Sequence, residues 1–139
     1  MTENGTDLLI GTTKGAFLVQ GTAARTGWRV SGPHCGGWPI NHVVGDAESG
    51  TLWAGGGGDW NGAGVWRSGD RGETWALTRL TRGTQDDWAA NDPEFAAMIG
   101  WEDTPMPFGD TFSQIWSLHF AHGTLYAGTK PAGLLASTD

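Results

Sequence analysis

Two groups of residues in this sequence could do chemistry. The first is the run Ser68-Gly69-Asp70-Arg71-Gly72-Glu73-Thr74-Trp75, in which a carboxylate lies between two hydroxyls and ahead of an indole. Asp70 can accept hydrogen bonds from the backbone of its own turn, Gly72 can take positive φ, and Trp75 can bury its ring beside a hairpin. That is turn chemistry, so Ser68, Asp70, Gly72, Thr74 and Trp75 are expected to be structural rather than catalytic. The second group is scattered: His34, Trp38, Asn41, His42, Asp59, Trp60, Asn61 and Lys130. Indole faces with amide and carboxylate partners suit sugars or other polar rings, because stacking and hydrogen bonding act together. Trp88 and Trp101 fit either such a face or the packing of their own segment.

His34, His42 and Asp59 could be read as a metal triad, but their spacing matches no zinc pattern. His42 reads better as a hydrogen-bonded residue at the start of a strand. No metal and no cofactor are expected, and no catalytic residue is assigned.

The elements that must position these residues repeat along the chain. Gly50-Thr51-Leu52-Trp53-Ala54-Gly55 returns as Gly123-Thr124-Leu125-Tyr126-Ala127-Gly128, with Asp7-Leu8-Leu9-Ile10-Gly11 a fainter first copy. Each copy is followed by a second strand, at Gly15–Val19, Gly64–Ser68 and Gly133–Ser137. Apolar runs at Ile40–Val44 and Ile115–Phe120 supply an earlier strand to the second and third units. A last strand begins at Trp28 in the first unit and at Trp75 in the second. The first two units repeat at about 45 residues, the size of a four-stranded propeller blade. A longer third interval places an insertion at 81–113, with a short helix over Pro93–Ile99 capped by Asn91 or Asp92.

Composition agrees with this pattern. The chain has 24 glycines and 9 tryptophans but only 17% charged residues, which favours turns and aromatic-filled strands over disorder. A net charge of −7 argues against a nucleic-acid partner, since phosphate binding needs surplus Lys and Arg. No apolar run of membrane-spanning length occurs, and no signal-peptide pattern opens the chain. With Cys35 the single cysteine, an internal disulfide is excluded, and a cytoplasmic location is expected.

The Ser68–Trp75 run fits the Asp-box pattern Ser-x-Asp-x-Gly-x-Thr-Trp at every specified position, and Ser137-Thr138-Asp139 begins another. With the repeated hairpins, these residues resemble the Asp-box (BNR repeat) proteins, sialidases among them. Leu9–Phe17, Ser31–His34 and Leu125–Leu134 look most like a bacterial exo-α-sialidase-like group. The resemblance implies an all-β fold, an N-terminal propeller fragment of about two and a half four-stranded antiparallel blades with one full Asp box. The expected divisions are blade one at 7–31, blade two at 39–80, the insertion at 81–113 and an incomplete blade three at 114–139.

The true sialidases require three arginines on the substrate carboxylate, a tyrosine nucleophile paired with a glutamate, and an aspartic acid. Here the single tyrosine, Tyr126, stands where Trp53 stands in the previous unit, and no Arg-Ile-Pro segment opens the chain. The expected function is therefore a ligand-binding or scaffold propeller, with a glycan or polar small-molecule site on the loop face opposite the Asp boxes. A glycoside hydrolase and a protein-interaction module are the alternatives, and open blade edges imply self-association.

Overall fold

The computed structural model describes residues 5–138, so Asp139, with which the second box pattern would continue, lies outside the described residues. The described residues are mostly β, with ten strands in three antiparallel sheets and two short helices. Sheet one is β1 (Thr6–Thr12), β2 (Gly15–Gly21) and β3 (Arg29–His34), paired in that order. Sheet two is β4 (Ile40–Gly45), β5 (Leu52–Gly58), β6 (Gly62–Ser68) and β7 (Ala76–Arg79). Sheet three is β8 (Gln114–Ala121), β9 (Thr124–Lys130) and β10 (Gly133–Ser137). Each is a meander, as short Gly-rich turns dictate. None of the three closes on itself.

The repeated glycine explains how the sheets stack. A Cβ on Gly11 of β1 would lie 2.5 Å from the Ile40 carbonyl oxygen of β4, and one on Gly55 of β5 would lie 2.5 Å from Ile115 Cγ2 of β8. The same repeat position is where the first strand of the following sheet presses in, and a side chain there would push it away. Accordingly β1 packs against β4, and both β4 and β5 pack against β8.

Each seam has its own apolar core. Ala16, Cys35, Trp38, Ile40, Val43 and Ala54 fill the space between sheets one and two, flanked by Leu9, Trp66, Trp75 and Leu77. Trp53, Ala63, Phe112, Ile115, Leu118 and Ala127 fill that between sheets two and three, with Trp53 stacked on Phe120 at 4.6 Å between centroids. Burying the larger of these side chains contributes roughly 1.5–3 kcal/mol each. The second seam is also pinned by polar bonds from Asn41 and His42 of β4 to backbone groups of β8, near a register shift in each strand.

The insertion is more ordered than its composition implies. It holds α1 (Thr84–Asn91) as well as the expected α2 (Pro93–Ile99), with Asp92 Oδ1 accepting from the amides of Glu94 and Phe95. Gly100, at φ 65°, ends α2 in the left-handed region. The absence of α1 from the sequence reading has a physical cause: its two buried residues are Ala89 and a carboxylate, Asp86, so no apolar stripe marks it.

Candidate functional site

The Ser68–Trp75 run forms the β6–β7 turn. Ser68 Oγ donates to Asp70 Oδ1 at 2.8 Å and accepts from the Gly72 amide at 2.8 Å. Asp70 Oδ1 accepts from the Thr74 amide at 2.8 Å, while the Thr74 hydroxyl donates to Oδ2. The indole of Trp75 donates to Gly72 O at 3.0 Å. The hydroxyl and amide of Thr74, helped by the Ser68 hydroxyl, hold Asp70 down at about 2. Its carboxylate is thus committed to its own turn. Gly72, at φ 93°, lies where a Cβ would strike Leu18 of β2, so the turn also fastens sheet two to sheet one.

The loop ends opposite this turn carry the scattered candidates, and the structure sorts them into three settings. Trp38 is buried in the first seam, edge-on to Trp66 at 5.9 Å. His34 bonds Ser31 Oγ through Nε2 at 3.1 Å, with its ring 6.0 Å from Trp75. Both belong to the packing between sheets one and two. The pairing drawn above of His34 with His42 and Asp59 has no counterpart, for no group of three metal-ligating side chains occurs among the described residues.

Asn41 and His42 of β4 reach across to β8, and Lys130 ends β9 opposite Gln114 of β8. Asn41 Nδ2 donates to the Ile115 carbonyl at 2.9 Å and to Gln114 Oε1 at 3.3 Å. The Leu118 amide donates to His42 Nδ1 at 2.8 Å, which places any ring proton on Nε2. Both side chains bridge sheets two and three. Beside them Trp116 Nε1 donates to Gln114 Oε1 at 3.0 Å, and Lys130 Nζ stands 5.2 Å over the exposed Trp116 ring. Gln114 and Trp116 were not singled out from the sequence, although Ile115-Trp116-Ser117-Leu118 repeats the register of Ile40-Asn41-His42-Val43 and sets Trp116 at the bulge that Asn41 occupies in β4. The set offers an ammonium, two amides and an indole, which bind and orient rather than transfer protons.

Asp59, Trp60 and Asn61 form the β5–β6 turn, beneath the insertion. Asp59 O and Trp60 O accept from the amides of Thr84 and Gln85 at 2.7 and 3.1 Å, which seats α1 on the turn. Asn61 O accepts from Arg79 Nη2 at 2.8 Å. The Arg79 guanidinium also grips Asp86 with both terminal nitrogens, at 2.9 and 2.6 Å, and Asp86 further accepts from the Gly83 amide at 2.8 Å and Trp101 Nε1 at 3.0 Å. Asp86 is 1% exposed. Burial alone would raise its carboxyl, but the Arg79, Gly83 and Trp101 donors outweigh it and hold the group at about 2. Trp101 is therefore part of the lock that holds the insertion, while Trp60 and Trp88 remain solvent-facing. A cavity of about 490 Å³ beside this lock is lined by Arg79, Gln85, Ile99, Trp101, Met106 and Pro107, among others.

Burial pushes the Cys35 thiol up to about 12, so it stays protonated and unreactive at neutral pH. No helix among the described residues is long and apolar enough to cross a membrane. The chain matches no protein-family model and no curated protein.

Proposed function

We propose that this chain is part of an Asp-box, sialidase-like β-propeller of cytoplasmic location, whose loop-end face binds a glycan or another polar small molecule. Three successive sheets joined at equivalent glycines and an Asp-box turn with each of its hydrogen-bonding groups engaged support the architecture. The observation that carries the binding reading is the contiguous patch of Asn41, Gln114, Trp116 and Lys130 at the mouth of the seam between sheets two and three. A sugar approaching the exposed Trp116 ring would meet the Lys130 ammonium over its face and the Gln114 and Asn41 amides beside it. That combination favours a carboxylated sugar over a neutral one.

The test is titration with a panel of monosaccharides, glucose, glucuronate and N-acetylneuraminate, followed through the indole resonance of Trp116. Carboxylated members are expected to bind more tightly than glucose, and both Trp116→Ala and Lys130→Ala to weaken binding about tenfold. Trp116 signals that ignore the whole panel, or binding that survives both substitutions, would overturn the reading.

A further inference from the structure

Three aromatic rings converge on the insertion, and each follows an acidic residue: Asp59-Trp60, Asp87-Trp88 and Glu94-Phe95. One pair comes from the β5–β6 turn, one from α1 and one from α2. The centroids lie 5.7 Å apart for Trp60 and Trp88, 6.2 Å for Trp60 and Phe95, and 6.1 Å for Trp88 and Phe95, with interplanar angles of 77°, 61° and 70°. Three near-perpendicular rings at these spacings have the dimensions of the corner of a box. A point about 4.5 Å from all three centroids exists, inside the roughly 6 Å over which a ring face attracts a cation. Trp60 is 43% and Trp88 58% exposed, so rings that could have been buried face water.

The exposed charge around the rings is acidic: Asp59, Asp87 and Glu94 are all exposed, while the two cations against α1 are already engaged, Arg79 by Asp86 at 2.6 Å and Arg82 by Asp87 at 3.5 Å and Asp103 at 3.7 Å. Glycans gain nothing from such a rim. A weakly hydrated positive group does, because the ring faces and the carboxylates both attract it while its methyl groups bury against indole. α2 contributes Phe95 but no fully buried residue, and it packs against α1.

We propose that Trp60, Trp88 and Phe95 form a receptor for a small quaternary ammonium compound, with Asp59, Asp87 and Glu94 as its counter-charge. This site is distinct from the Trp116–Lys130 patch, and neither depends on the other.

The probe is choline, titrated into the whole chain while the indole resonances of Trp60 and Trp88 are followed. Its neutral isostere 3,3-dimethylbutan-1-ol serves as the control of equal shape. Choline is expected to shift both indoles with a millimolar Kd and the isostere to bind at least about tenfold more weakly. Trp88→Ala is expected to weaken choline binding about tenfold, and Phe95→Leu, which keeps the apolar volume, about fivefold. The double substitution Asp87→Asn with Glu94→Gln should weaken it a few-fold, an effect that fades with added salt. If the rings serve only to hold α2 on α1, choline and the isostere will shift the indoles equally or not at all. Either result overturns the proposal, as would Phe95→Leu binding choline like the parent.

Discussion

The two ends of the four-stranded sheet solve the same problem in opposite ways. At the β6–β7 end the carboxylate of Asp70 is satisfied by residues within four positions of it, and Trp75 bonds back to Gly72. At the β5–β6 end the carboxylate of Asp86 reaches across to Arg79, Gly83 and Trp101, and the turn itself is held by α1 from above. Local closure costs little chain entropy and forms wherever its motif is written; the distant lock must wait for several segments to arrive. The comparison separates residues whose polar groups are committed to the fold from exposed ones left free to meet a ligand.

The sharpest way to break the comparison is Asp86→Ala. Arg79 would then be left half-buried without its bidentate partner, and the loss is expected to be about 3 kcal/mol, at the low end for a broken buried pair because Arg79 keeps some water contact. Urea denaturation gives the magnitude. Hydrogen exchange localises it: the Gly83 and Thr84 amides should exchange much faster, while the Thr74 amide, held by Asp70, should keep its protection relative to global unfolding. Equal loosening at both ends would mean that the two ends are not independent.

Gly72→Ala tests the local end. The backbone there, at φ 93°, lies outside the comfortable range of a residue with a Cβ, and the added carbon would meet Leu18. About 2 kcal/mol of destabilisation is expected, from strain and from parting the first seam. A change below about 0.5 kcal/mol in the denaturation midpoint would show that the turn does not fasten sheet one to sheet two.

The same contrast explains what the sequence disclosed. The hairpins, the repeated glycine and the Ser68–Trp75 turn were legible because their determinants lie within a few residues of one another. So was α2, whose Asp92-Pro93 start is written locally. α1 was hidden because its two buried residues are an alanine and an aspartate, and the binary pattern reads a buried carboxylate as surface. The same holds for the candidate site. Asn41 and His42 stood out by type and position, yet their partners in β8 lie more than 70 residues away, and Trp38 looked like a loop indole until the seam closed around it. Trp116 went unread although the repeat registers it with Asn41, since a strand tryptophan gives no hint of which face it takes.

Acid sharpens the comparison in a third way. Asp86 has a carboxyl near 2 in the folded chain against 3.8 for the ordinary group, so on lowering the pH the unfolded chain takes up the proton first. The stabilisation this residue gives is complete above pH about 4 and disappears as the pH falls through about 2, a change on the order of 2 kcal/mol. Asp70, also near 2, moves in the same direction, but it faces solvent and its share is screened. Denaturation midpoints measured from pH 5 to pH 2 should therefore fall for the parent chain and fall less for Asp86→Asn, which has no charge there to lose. Asp70→Asn should stay nearly parallel to the parent. If instead Asp70→Asn flattened the acid limb more than Asp86→Asn, the exposed local turn would be the stronger electrostatic contributor, and the division between a self-contained turn and a charge-locked insertion would have to be reversed.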